Sequence, residues 1–267
     1  MNIAGIQKTT LVDYPGKVAA TVFTRGCTFR CPFCHNPELV ISEKFIPLFS
    51  EEEILDFLKT RIGKLQAVCI TGGEPTIQSD IIKFIQKLKK MGFLVKLDSN
   101  GSLPEVLEKI IKAGDVDYIA MDIKASPEKY DLATGCHPEL PSSLGCLAKT
   151  DVSGSLRCHS ERSEESKDPS ALPQDDTLIA NIKKSISLIM NSGIDYEFRT
   201  TVCHPIHEVE DFEQIGKMIK GAKRYFIQNF VQSKHINEHQ KFEPFTEEEL
   251  ARAEQTIQKY IKKVSIR

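Results

Sequence analysis

Cys27, Cys31 and Cys34 stand within eight residues of one another, in the stretch RGCTFRCPFCHNPE. The spacing C-x3-C-x2-C puts three thiolates on one tight loop, where they can face a common centre. Thiolates are ligands for zinc and for iron–sulfur clusters. A four-iron cluster held by three protein thiolates keeps one iron open for another ligand. The motif alone also admits a zinc knuckle with a distant fourth ligand, or three buried core cysteines. The chain has eight Cys in 267 residues. The opening MNIAGIQKTT lacks the apolar segment of a signal peptide, which predicts a cytosolic chain. In that compartment the cysteines read as metal ligands, reactive thiols or small buried hydrophobes, and not as a disulfide framework.

Further polar residues fall where short apolar runs end. The run 67–70 is followed by Gly72, Gly73 and Glu74, and the run 94–97 by Asp98, Ser99 and Asn100. The run 118–121 is followed by Asp122 and Lys124, the run 196–200 contains Arg199 and leads to Thr201, and 225–227 leads to Gln228 and Asn229. With 18–23 (VAATVF), these are six β-rich runs, read as strands.

Helical patterns alternate with them. Ser50 and Glu53 form a capping box before Ile54, Leu55 and Leu58. Ile81, Phe84, Ile85 and Leu88 have helical spacing, with Gly92 as a stop. Pro104 opens a helix carrying Val106, Leu107, Ile110 and Ile111, with Gly114 after it. Further stripes run through Ile182, Ile186 and Ile189, and through Val209, Phe212, Ile215 and Ile219. A last one, capped by Thr246 and Glu249, carries Leu250, Ala253, Ile257, Tyr260 and Ile261. Six strand–helix units predict an α/β fold with a parallel sheet and right-handed crossovers. Closure of that sheet is not readable from periodicity.

Composition narrows the functions. Lys plus Arg is 35 and Asp plus Glu is 37, a net charge of −2. A near-neutral chain has no electrostatic case for wrapping nucleic acid or lying on an acidic membrane. No apolar run reaches bilayer length. Residues 131–195 contain no Phe, Trp or Tyr, and within them 151–177 carries seven acidic and three basic residues. Such a segment buries too little apolar area to offset its ordering entropy. We expect a mobile insertion at about 136–176 in one domain spanning 1–267. A small subdomain held by Cys136, Cys146, Cys158 and His137 or His159 is the other reading. Their spacing does not suit zinc.

The Cys27-x3-Cys31-x2-Cys34 motif with Phe33 before the last Cys, followed by Ile70-Thr71-Gly72-Gly73-Glu74-Pro75, resembles the radical S-adenosylmethionine (SAM) superfamily. The resemblance implies a partial (β/α)6 barrel, a [4Fe–4S] cluster on the three Cys, and SAM on the fourth iron. The segment GIQKTTLVDYPGKVAATVFTRGCTFRCPFCHNPELV, with LDSNG, MDIKA and IDYEFRTTV, is similar to the activating proteins of anaerobic (class III) ribonucleoside-triphosphate reductases. Pyruvate formate-lyase activating enzyme is a near relative, sharing the pattern of Asp13-Tyr14-Pro15-Gly16 and Cys34-His35-Asn36. The family pattern gives the segment Gly72, Gly73 and Glu74 to the SAM amino group, with bare glycine backbone approaching the ligand. It gives Asp98, Ser99, Asp122, Lys124, Arg199 and Thr201 to the rest of SAM. Some relatives place a monovalent cation near the positions of Asp98 and Asp122.

The implied reaction is reductive cleavage of SAM to a 5′-deoxyadenosyl radical, which takes a hydrogen atom from a glycine of a partner enzyme. An electron donor such as flavodoxin or ferredoxin is implied as a second partner. Another glycyl-radical enzyme as target, such as pyruvate formate-lyase, and a zinc-binding adaptor without catalysis are the competing functions. Residues 231–245, polar and past the last strand, are the expected docking surface. His204 and His207 in CHPIH read as structural or as SAM contacts. Cys69 and Cys203 read as small strand residues, and Asn36 as a hydrogen-bond donor beside the cluster.

Overall fold

The computed structural model describes residues 1–41, 46–135, 148–150, 156–158, 174–232 and 241–267. In chain order the elements are β1 (Ile3–Thr10), β2 (Ala19–Thr24), α1 (Glu51–Lys59), β3 (Ala67–Gly72) and α2 (Ile81–Lys90). There follow β4 (Leu94–Ser99), α3 (Pro104–Ala113), β5 (Tyr118–Asp122), α4 (Tyr130–Thr134), β6 (Ala148–Thr150) and β7 (Leu156–Cys158). The chain continues through α5 (Gln174–Asn191), β8 (Asp195–Val202), α6 (Asp211–Met218), β9 (Tyr225–Asn229), α7 (Glu247–Ile257) and β10 (Val264–Ile266).

Eight strands form one sheet in the order β1-β2-β3-β4-β5-β8-β9-β10. From β2 to β10 every pairing is parallel, while β1 runs antiparallel to β2. The sheet curls as a partial barrel and does not close: β1 and β10 are its two edges. The six expected strands are all present. The two edges were not expected, because β1 is buried only at its ends and β10 is three half-exposed residues. Neither shows the apolar run of a strand covered on both faces.

The helices begin and end for local reasons. Ser50 and Glu53 make the expected capping box on α1, and Thr246 and Glu249 make the one on α7. Pro104 is the first residue of α3, and Gly114 closes it in the left-handed region at φ 74°. The α7 stripe stops being helical at Ile257, although Ile261 is still buried. Helix α5 starts at Gln174, inside the expected insertion. The rest of 136–176 lies outside the described residues, apart from β6 and β7, which pair antiparallel with each other.

Alternate strand residues face two different environments. Val22, Ile70, Leu97, Met121, Phe198 and Ile227 pack with helix residues such as Leu58, Phe84, Leu107, Ile186, Phe212 and Ile257 in the main core. On the other face, Ala19, Ala67, Cys69, Tyr118 and Ala120 pack with Tyr14 towards the strands' N-terminal ends. Further along this inner face stand Lys96, Asp98, Asp122 and Arg199. Among the described residues no helix is long and apolar enough to cross a membrane.

Candidate active site

Cys27, Cys31 and Cys34 line one cavity of about 370 Å³. It lies at the C-terminal ends of the strands, where parallel barrels gather their chemistry. Local bonds shape the cysteine loop. Arg30 turns back to donate to the carbonyls of Cys27 at 2.9 Å and Phe29 at 3.0 Å. Its own backbone N–H donates to the Thr134 carbonyl at 2.8 Å. Thr28 Oγ1 and Ser102 Oγ are 2.8 Å apart, which ties the loop to the turn after β4.

Hydrogen-bond donors converge on the sulfurs. The Phe29 N–H points at Cys27 Sγ at 3.4 Å, and Asn100 Nδ2 lies 3.7 Å from the same sulfur. The Asn36 backbone N–H donates to Cys34. Burial, followed by the Glu74 charge, pushes the Cys27 thiol up to about 12, and burial raises Cys34 as well. Thiolates at these places therefore need a metal to hold them deprotonated. Among the described residues no Cys, His, Asp and Glu side chains are grouped as one ion requires. All three thiols nevertheless line the one cavity. The donor chemistry fits an iron–sulfur cluster.

Gly72 and Gly73 do line the cavity, but their bareness has a further cause in the fold. A Cβ on Gly73 would overlap the Gly26 carbonyl, and one on Gly72 the backbone of Thr24. The close approach is fixed by Gly73 N–H donating to Thr24 O at 2.9 Å and Glu74 N–H to Gly26 O at 2.8 Å. Glycine here lets β3 seat the start of the cysteine loop. The Glu74 side chain turns away from the cavity. It is fully buried and is absent from the cavity wall. Its carboxylate accepts from Thr76 N at 3.1 Å, Ser99 Oγ at 2.9 Å and Asn100 N at 2.6 Å, bracing the end of β3 to the end of β4. Burial raises its pKa against those donors.

Asp98, Ser99, Asn100, Asp122, Lys124, Arg199, Thr201, Gln228 and Asn229 all reach the same cavity. The charged members form one strip. Lys96 pairs with Asp98, Asp98 with Arg199 at 3.0 Å, Arg199 with Asp122 at 2.5 Å, and Asp122 with Lys124 at 2.9 Å. Burial works against ionising both carboxyls, but Arg199 with Lys96 or Lys124 outweighs it and holds both below the usual carboxylate range. Burial also disfavours the Lys124 ammonium, yet Asp122 more than compensates and raises its pKa. On the cavity wall two cations, Arg199 and Lys124, face two anions, Asp98 and Asp122, while the third cation, Lys96, is buried and is not part of the wall.

The two histidines of the loop after β8 serve the scaffold. His204 Nε2 is 3.0 Å from Glu249 Oε1, and its ring stacks on Phe245 at 4.7 Å. His207 is fully buried, accepts the Cys203 N–H on Nδ1 at 3.2 Å and donates from Nε2 to the Lys124 carbonyl at 2.8 Å. It also meets the Phe33 ring edge-on at 5.7 Å, so it links the cysteine loop to Lys124. Neither lines the cavity. Cys69 and Cys203 are fully buried, as expected of strand-packing residues. Of the expected docking segment 231–245, residues 233–240 lie outside the described ones. Val231 is exposed at the cavity, and at the far end Phe242 and Phe245 are buried while Lys241, Glu243 and Pro244 are exposed.

Sequence missed Lys96 and Arg30 as parts of this site, and it placed His35 beside the cysteine loop without its partners. Lys96 sits two residues before Asp98 on the same strand face, which is a readable signal. His35 bonds the Val231 carbonyl at 2.9 Å and stacks on Phe230, which no local pattern could show.

Comparison with known proteins gives this site its context. Residues 21–139 match the family model of the Radical SAM superfamily. A Methanocaldococcus jannaschii protein named as a glycyl-radical enzyme activating enzyme is 33% identical, over 99% of this chain and 95% of its own. The pyruvate formate-lyase-activating enzyme of Listeria monocytogenes is 33% identical over 48% of this chain and 55% of its own. Among solved structures, Streptococcus suis SuiB bound to precursor peptide SuiA superimposes with a TM-score of 0.54 at 13% identity, over 92% of this chain and 48% of that one. Native anSMEcpe with bound AdoMet and Cp18Cys peptide gives 0.56 at 11% identity, over 90% of this chain and 58% of that one. The chain thus spans about half the length of these structures, and at such identities they show the fold alone. The cysteine motif, the match to the superfamily and the full-length relative agree: the chain belongs to the radical SAM superfamily as a glycyl-radical enzyme activating enzyme, whose cofactors are a [4Fe–4S] cluster and SAM.

Proposed function

We propose that this chain activates an anaerobic (class III) ribonucleoside-triphosphate reductase, in the cytoplasm, by installing a glycyl radical on it. The target rests on the resemblance of the opening segment and of LDSNG, MDIKA and IDYEFRTTV to activators of that reductase. The single observation that carries the chemistry is that three thiols and the paired charges of Asp98, Asp122, Lys124 and Arg199 share one cavity. Cys27, Cys31 and Cys34 would hold the cluster. Lys124, within electrostatic reach of Cys31 and Cys27, and Arg199 would match the SAM carboxylate by charge. When bound, the two cofactors supply one-electron reductive cleavage of SAM and, from it, hydrogen-atom abstraction.

The protein's own part is positional. Glu74, Ser99 and Asn100 lock the ends of β3 and β4 together beneath the cavity. His207 and Asp122 hold Lys124 from two sides. Thr201, Gln228 and Asn229 supply uncharged polar groups on the cavity wall, and Val231 offers an exposed apolar edge to a partner loop. The chain acts as one domain over 1–267, with 136–176 an insertion outside the catalytic machinery. A flavodoxin or ferredoxin supplies the electron.

The test is electron paramagnetic resonance on reduced, reconstituted protein mixed with SAM and a candidate enzyme. A glycyl signal with the reductase and none with pyruvate formate-lyase supports the assignment. A signal only with the lyase moves the target and keeps the chemistry.

A further inference from the structure

Asp98 and Asp122 face one cavity from neighbouring strands, and two such carboxylates are a natural seat for a small cation. The family resemblance leads to that expectation. The geometry of this chain answers it differently, oxygen by oxygen. Asp98 Oδ1 receives Lys96 Nζ, and Asp98 Oδ2 receives Arg199 Nη2 at 3.0 Å. Asp122 Oδ1 receives Arg199 Nε at 2.5 Å, and Asp122 Oδ2 receives Lys124 Nζ at 2.9 Å. All four carboxylate oxygens are thus engaged by protein cations. A hard metal ion binds through oxygens. Here it would have to share each oxygen it took with an ammonium or guanidinium already bonded to it, while approaching three positive charges. A guanidinium suits the bridging place well, because it is planar, permanently charged and donates in fixed directions. Arg199 uses two of those directions to span carboxylates from β4 and β5.

We propose that Arg199 is the built-in counter-cation of this site, standing between Asp98 and Asp122 where a monovalent metal ion would otherwise sit, so that SAM binding by this chain needs neither potassium nor sodium. The proposal rests on reading the cavity as the SAM site. Arg199 acts here as a positioning residue: it holds the two carboxylates, and through Asp122 it holds Lys124. Removing it opens one oxygen on each carboxylate, and a potassium ion then has a place to enter.

The experiment measures SAM affinity by equilibrium dialysis on the anaerobically reconstituted enzyme, in potassium chloride and in tetramethylammonium chloride at equal ionic strength. The wild type is expected to bind SAM within about twofold in the two salts, whereas Arg199→Ala binds about tenfold more weakly in tetramethylammonium and partly recovers in potassium. Arg199→Lys keeps a cation in place and stays indifferent to the salt. A wild type that loses affinity when potassium is withdrawn overturns the proposal, and so does an Arg199→Ala variant with full affinity in both salts. Thermal melting of the cluster-free chain is the second readout. Its midpoint is expected to be the same in both salts for the wild type and to rise with potassium for Arg199→Ala. A wild-type chain that binds SAM in neither salt overturns the reading of the cavity. The melting curves still decide the counter-cation, because a potassium-dependent wild-type midpoint contradicts it.

Discussion

The two ends of the sheet's inner face are built from different material. At the foot, Tyr14, Ala19, Ala67, Cys69, Tyr118 and Ala120 pack as a small apolar plug, with the Tyr14 and Tyr118 rings 5.8 Å apart. At the mouth, β4, β5, β8 and the turn after β5 carry Asp98, Asp122, Arg199 and Lys124 around a cavity of about 370 Å³. One strand shows the change in five residues: β5 offers Tyr118 and Ala120 to the plug and Asp122 to the strip. A filled foot fixes the spacing of the strands. Charged groups at the mouth satisfy one another laterally and cannot close-pack as alkyl groups do, so a space persists above them. The cysteines repeat the lesson. Cys69, in the plug, and Cys27, at the mouth, are both pushed up to about 12, chiefly by burial. What separates them is surroundings: Cys27 has two donors aimed at its sulfur and two more thiols on the same wall.

The largest effect that would break this contrast lies at the mouth. Cys31→Ala is expected to lose bound iron and all reductive cleavage of SAM, measured by metal analysis and product chromatography. A Cys31→Ala variant that still cleaves SAM contradicts the cluster assignment. At the foot, Tyr118→Ala leaves a cavity and removes the donor to Glu197 at 2.9 Å. It is expected to cost about 3–5 kcal/mol in urea unfolding, while the SAM affinity of the folded fraction stays unchanged. A loss of affinity as large as the loss of stability would merge the two ends into one functional unit. Gly73→Ala tests the junction between them. Its Cβ overlaps the Gly26 carbonyl, so about 1–3 kcal/mol of overpacking is expected, together with faster loss of iron from the displaced loop.

Acid sharpens the comparison further. Asp98 and Asp122 have folded pKa values below their unfolded ones. Their contribution to stability is therefore fully present above the unfolded value of about 4 and fades as pH falls below it. Urea midpoints for the wild type should drop below about pH 4 more steeply than those of Asp122→Asn. Parallel slopes would show that the strip carries no such linkage.

Much of the mouth was legible because its signals are contiguous. Three Cys in one loop, and polar residues directly after apolar runs, need no tertiary knowledge. The partners were not legible. That Arg199 spans Asp98 and Asp122, or that Glu74 turns inward to Ser99 and Asn100, follows from which strands become neighbours. Gly73 was readable as a close approach, but the backbone of Gly26 is the group it approaches within the fold. His207 offered only a loop histidine to the sequence. Its contacts with Lys124 and Phe33 depend on the loop after β8 folding over the one after β5. The edges β1 and β10 escaped because an edge strand is half solvated and loses the continuous apolar run that marks its neighbours.

The most direct test is metal and sulfide analysis of anaerobically purified, reconstituted protein, with the electron paramagnetic resonance spectrum of its reduced form recorded before and after adding SAM. About four irons and four sulfides per chain are expected, with a reduced-cluster signal that changes shape when SAM binds. One tightly held zinc, no sulfide and no response to SAM would contradict the assignment of the three cysteines.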